Sequence, residues 1–109
     1  MADSTMAINP DVVASAYNAE AELSEKLSRR EMRRMGLTVL NVRRRARQMA
    51  IAGEITADMS HDQIRDIVID DLMGDEPGAW RNVSAPDWDA ILAFITKLLP
   101  LILQIIALF

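Results

Sequence analysis

Along the middle of the chain Met32, Met35, Val39, Val42, Ala46 and Met49 recur at alternating steps of three and four, while Arg30, Arg34, Asn41 and Arg45 fall off that line. That is the period of an α-helix with one face for packing and another for charge, and it predicts a helix from Ser28 to Ala52. Ile64, Ile67, Val68, Leu72 and Met73 repeat the pattern and predict a further helix from Ser60 to Met73. An earlier stretch, Pro10 to Leu27, is rich in alanine and offers only Val12, Val13, Tyr17, Leu23 and Leu27 as sizeable apolar groups. It is expected to be a helix that packs at the periphery. No stretch alternates with the period of a β-strand.

The last segment breaks with this moderation. From Ala90 to Phe109 sixteen of twenty residues are apolar, the exceptions being Thr96, Lys97, Pro100 and Gln104. As a helix it would be about 30 Å long, the thickness of a bilayer's hydrocarbon core. Asp89, Ala93, Lys97, Pro100, Gln104 and Ala107 follow steps of four, four, three, four and three, so they form one narrow stripe on an otherwise apolar cylinder. Three short helices are not expected to cover so much apolar surface, which directs attention to something outside the chain.

Local signals mark the boundaries. Asn9-Pro10-Asp11 supplies a side-chain acceptor for free amides, a ring that presets φ at the first helical position and an acid at the positive dipole end. Ser28 with Glu31, and Ser60 with Gln63, have the spacing of a capping box. Gly53 is placed to stop a helix, and Gly36 either breaks the second helix or is tolerated within it at about 1 kcal/mol relative to alanine. Gly74 and Glu76-Pro77-Gly78 read as a turn opening a linker to Ser84, after which Pro86, Asp87 and Asp89 announce the last helix. Pro100 is expected to kink it, because it lacks an amide donor and crowds the Thr96 carbonyl. The fold class is therefore all-α, with three amphipathic helices in a charged body (residues 1–84) and a long hydrophobic C-terminal helix (85–109). The whole is expected to be oligomeric or docked into a larger assembly.

Composition narrows the function classes. The chain has 109 residues and no cysteine, which excludes disulfides and thiolate chemistry. Its net charge of -4 argues against nucleic acid as the main partner. The single histidine, His61, has no second ligand at metal spacing, and there is no glycine-rich phosphate loop, nucleophile elbow or calcium loop. Neither an enzyme nor a cofactor is expected. Met1 to Pro10 lacks a basic run followed by an apolar stretch, so the chain is expected to begin life inside the cell.

The charges are segregated. Eight of the twelve basic residues lie between Arg29 and Arg47, and eight acids lie between Glu54 and Glu76. Asp62, Asp66 and Asp70 repeat every four residues; like charges at that spacing repel within a helix, so a cationic surface opposite them is expected. Arg30, Arg33, Arg34, Arg44, Arg45 and Arg47 are the candidates for that charge-paired platform.

Three roles remain open for the terminal helix. In the first, a structural protein oligomerises with copies of itself or docks with other subunits of a larger particle, burying Ile91, Phe94, Ile95, Leu98, Leu99, Ile102, Ile105, Ile106 and Phe109, with Lys97 and Gln104 as a polar stripe. In the second, a tail-anchored membrane protein uses Trp88 at the entry of the span, against a cost of about 2.5 to 3.5 kcal/mol for Lys97 near the centre. In the third, the helix is the centre of a self-contained bundle. Apart from these, the arginine segment admits a nucleic-acid-binding adaptor. Under either of the first two roles, removal of Ala90 to Phe109 is expected to leave a more soluble monomer. The layout resembles that of small accessory structural proteins of tailed-phage particles and of tail-anchored membrane adaptors.

Overall fold

A computed structural model describes residues 8–74 and 87–109. Five helices are present among them: α1 (Pro10–Leu23), α2 (Arg29–Met35), α3 (Val39–Ile51), α4 (His61–Met73) and α5 (Trp88–Ala107). The expected turn at Glu76-Pro77-Gly78, the linker to Ser84 and the Pro86 start signal lie outside the described residues.

The boundaries follow from caps that can be named. The Asn9 side chain accepts from the Asp11 amide at 2.8 Å, with Pro10 at the first position of α1. Both capping boxes form: Ser28 and Glu31 open α2, and Ser60 and Gln63 open α4, each with the reciprocal pair of bonds. The helix expected from Ser28 to Ala52 is two helices. Gly36 takes φ +70°, ends α2 in a left-handed cap, and its amide and that of Leu37 return to the Arg33 and Met32 carbonyls. Thr38 then caps α3 through the Asn41 amide. α1 is four residues shorter than its expected end at Leu27; residues 24–27 form a turn that still buries Leu27.

α5 is the hub of the fold, in contact with α1, α3 and α4. Ile91, Phe94, Ile95, Leu98, Leu99, Leu101, Ile102, Ile105 and Ile106 are all buried within this one chain. The expectation that three short helices leave most of α5 uncovered does not hold here. Each neighbour covers a different arc: α1 through Ala16, Ala19 and Leu23, α3 through Val39, Val42, Ala46 and Met49, and α4 through Ile64, Val68 and Ile69. α1 is not peripheral either; its pairing with α5 is the most extensive in the fold. Its alanines are the reason, because small side chains let two helix backbones approach closely and bury the larger residues of the partner. Removing Ala90 to Phe109 would accordingly take away the surface that three helices share, instead of freeing a soluble body.

The helix passes through Pro100 without ending. Pro100 and Thr96 both lie on the exposed side, where the loss of one main-chain donor costs least. At its start Asp87 adopts φ 58°, a conformation that aspartate tolerates better than most residues, and its side chain accepts from the Ala90 amide at 3.1 Å.

Candidate functional site

α1 touches the polar stripe of α5 at two points. Lys97 donates to Glu22 at 2.5 Å near the end of α1, and Gln104 accepts the Asn9 amide at 2.8 Å at its start. The two contacts run in opposite order along the two helices, so α1 and α5 are antiparallel. Asp89, Ala93, Thr96, Lys97, Pro100 and Ala107 form the exposed edge beside this seam, with Gln104 half-buried. Trp88 is half-buried and packs on the core, whereas Phe109 is 60% exposed.

The arginine segment divides. Arg33, Arg34 and Arg45 border a hollow at the corner of α2 and α3, lined also by Thr38, Asn41 and Leu72. Arg45 Nε lies 3.7 Å from Asp71 Oδ2, an ion pair between α3 and α4. That pair joins α3 to α4 through Asp71. Asp62 and Asp66 instead flank Arg65 of their own helix, at 3.6 and 3.1 Å, and neither Asp66 nor Asp70 is free of partners. Arg30 is exposed on α2.

Arg29 borders a separate hollow between α1 and α2, and Arg43, Arg44 and Arg47 stand around a wider groove. This groove, of about 820 Å³, lies where α3 passes the last turn of α5 and the start of α1. Its apolar lining is Ile8, Val13, Leu40, Ile105, Leu108 and Phe109. Arg43, Arg44 and Arg47 form its rim, and no carboxylate side chain lines it. Among the described residues none of these three guanidinium groups has an ion-pair partner; Arg44 donates at 2.9 Å to the neutral Asn41 side chain. Leu40 is 71% exposed, and Ile51, further along the same side of α3, is 62% exposed.

Sequence reasoning placed Arg44 and Arg47 in a charge platform and Ile105 and Phe109 in a buried set, but it did not bring them together and did not single out Leu40, Ile8 or Leu108. A signal was present. Leu40, Arg44, Arg47 and Ile51 follow steps of four, three and four, a second stripe on the face opposite Val39, Val42, Ala46 and Met49. Large apolar groups on the solvent stripe of an arginine-rich helix are out of phase with the core and call for a reason of their own.

Among the described residues no group of three histidine or acidic side chains is placed to hold a metal ion. Asp58 is fully exposed in the turn before α4; its hydrogen bond from the Thr56 hydroxyl, then a backbone amide, holds its carboxyl below the usual 3.8.

No protein-family model, curated protein or solved structure matches this chain. The functional reading rests on the groove and on how α5 is covered.

Proposed function

We propose that this chain is a non-enzymatic docking module, a self-covered helical bundle that joins a larger protein assembly through the arginine-rimmed groove at the end of α5. One observation carries the reading: Leu40 and Phe109 are left 71% and 60% exposed beside three arginines that have no acidic partner among the described residues. An apolar lining with a polar rim is the anatomy of a protein-protein contact before its partner arrives. The greasy helix enters this reading through its last turn only, Ile105, Leu108 and Phe109, while the rest of it serves as core.

A second reading, the tail-anchored membrane protein, is favoured by one observation. α5 is long and apolar enough to cross a bilayer by length and composition, although half of its most apolar window is buried inside the chain. Insertion would require the bundle to open and Lys97 and Gln104 to give up their contacts with α1.

Purification without detergent, followed by light scattering and a liposome flotation assay, separates the two. Docking through the groove predicts a discrete soluble species that stays out of neutral liposomes, and Leu40→Asp with Phe109→Asp should leave its helicity and melting temperature unchanged. A chain that needs detergent, or floats with neutral liposomes, would overturn the proposal in favour of the anchor.

A further inference from the structure

Resting on that reading, we infer that the occupant of the groove is an acidic amphipathic helix of another protein. The walls favour a helix. The groove is bordered by α1, α3 and α5 and by no sheet edge, so it offers no ladder of alternating amides and carbonyls to an extended strand. An occupant that loses water here must already satisfy its own backbone, and a helix does so.

Its apolar face is set by Leu40, Ile105, Leu108 and Phe109. Its charge is set by the rim. Arg43 and Arg47 are four residues apart on α3, about 6 Å along the axis, the same rise that separates residues i and i+4 of a helix lying alongside. Carboxylates at that spacing on one flank of the partner would meet both, with Arg44 offering a third forked donor. The patch is basic on a chain of net charge -4, so its attraction for an acidic ligand is local and directional.

A second copy of the chain is a poorer fit. Its acid-rich helix, α4, turns Ile64, Val68 and Ile69 into its own core and has no equivalent apolar stripe to spare among the described residues. A bilayer surface would also meet the arginines and the exposed Leu40 and Phe109, but it would leave the buried Ile105 at the bottom of the groove uncontacted.

The test uses the full chain and a labelled fourteen-residue helical peptide with leucines on one face and glutamates at i, i+4 and i+7 on the flank. A peptide with lysine in place of each glutamate keeps the apolar face. Fluorescence anisotropy should show the glutamate peptide binding at least about tenfold more tightly than the lysine peptide. Arg44→Glu with Arg47→Glu, both at exposed positions, should reverse that preference. Leu40→Ser should weaken both peptides, and backbone amide shifts on binding should centre on Ile105 to Phe109.

Equal binding of the two peptides would overturn the acidic partner while leaving the groove as a docking surface. No binding of either peptide, with a concentration-dependent dimer lost in Leu40→Ser, would overturn it in favour of a second copy. Binding to vesicles containing phosphatidylglycerol without binding to the glutamate peptide would overturn it in favour of an anionic membrane. A chain that floats with neutral liposomes defeats the docking reading itself, so the two failures are distinguishable.

Discussion

Glu20 Oε1 accepts the backbone amide of Val39 at 2.6 Å, so a carboxylate of α1 sits on the N-terminus of α3. The first amides of a helix have no partner in their own helix and carry the positive end of its dipole, which makes a part-buried acid there both a cap and a tether between elements nineteen residues apart. Glu20→Ala should lower unfolding free energy by about 1 kcal/mol. Glu20→Gln should recover part of it, since the amide oxygen still accepts. Urea titration of the three proteins checks the order.

Gly36 combines a left-handed backbone with a close neighbour. A Cβ built there would lie 2.6 Å from Asn41 Nδ2, and that nitrogen donates to the Gly36 carbonyl at 2.9 Å. Gly36→Ala should therefore destabilise the fold by about 1 to 3 kcal/mol, more than the same change at Gly53, whose φ is also positive but whose surroundings are open. Thermal melts of the two variants provide the comparison.

Burial of α5 within one chain predicts how core mutants depend on concentration. Leu98→Ala and Phe94→Ala should each cost about 2 to 5 kcal/mol, and the cost should be the same at low and high protein concentration. If the loss shrinks as concentration rises, these side chains are being covered between chains.

Arg65 lies between Asp62 and Asp66 in space and sequence, with its side chain 26% exposed. It relieves the repulsion that carboxylates four apart impose on α4. Arg65→Ala should destabilise by about 0.5 to 1 kcal/mol at low ionic strength, and by less in molar salt, where charges are screened within about 3 Å.

Asp58 supplies a pH marker. Its ionised form is favoured in the folded chain by the Thr56 hydroxyl, so folding gains from that contact above the ordinary value of 3.8 and loses it as the pH falls through the lowered folded value. Thr56→Val should move the Asp58 midpoint up toward 3.8, read from carboxyl carbon shifts in a pH titration.

What the sequence makes legible is local. The Ser28/Glu31 and Ser60/Gln63 caps, the Asn9-Pro10 start and the Met32 to Met49 phase depend on neighbours within a turn or two, and each appears where its spacing places it. The role of the alanines of α1 was illegible, because a small side chain reads as weak until a larger partner is pressed against it. The same holds for Glu20, whose target is fixed only by the packing of α1 against α3. Judging α5 from its apolar circumference alone missed that three neighbours can each take an arc. The groove escaped notice because its residues come from α1, α3 and α5 and from the turn before α1, and only Leu40 breaks phase within its own helix.

The hub position of α5 ties folding to a hazard. Because α1, α3 and α4 meet through it, losing any one of them strips its cover, and an opened molecule presents a bilayer-length greasy rod to whatever is nearby. Wherever capture of the opened form by lipid or by another opened copy is faster than reclosing, the opening rate sets the lifetime of such a chain. Lys97 on Glu22 and the Asn9 amide on Gln104 are the polar contacts that hold α1 over this rod at the exposed seam.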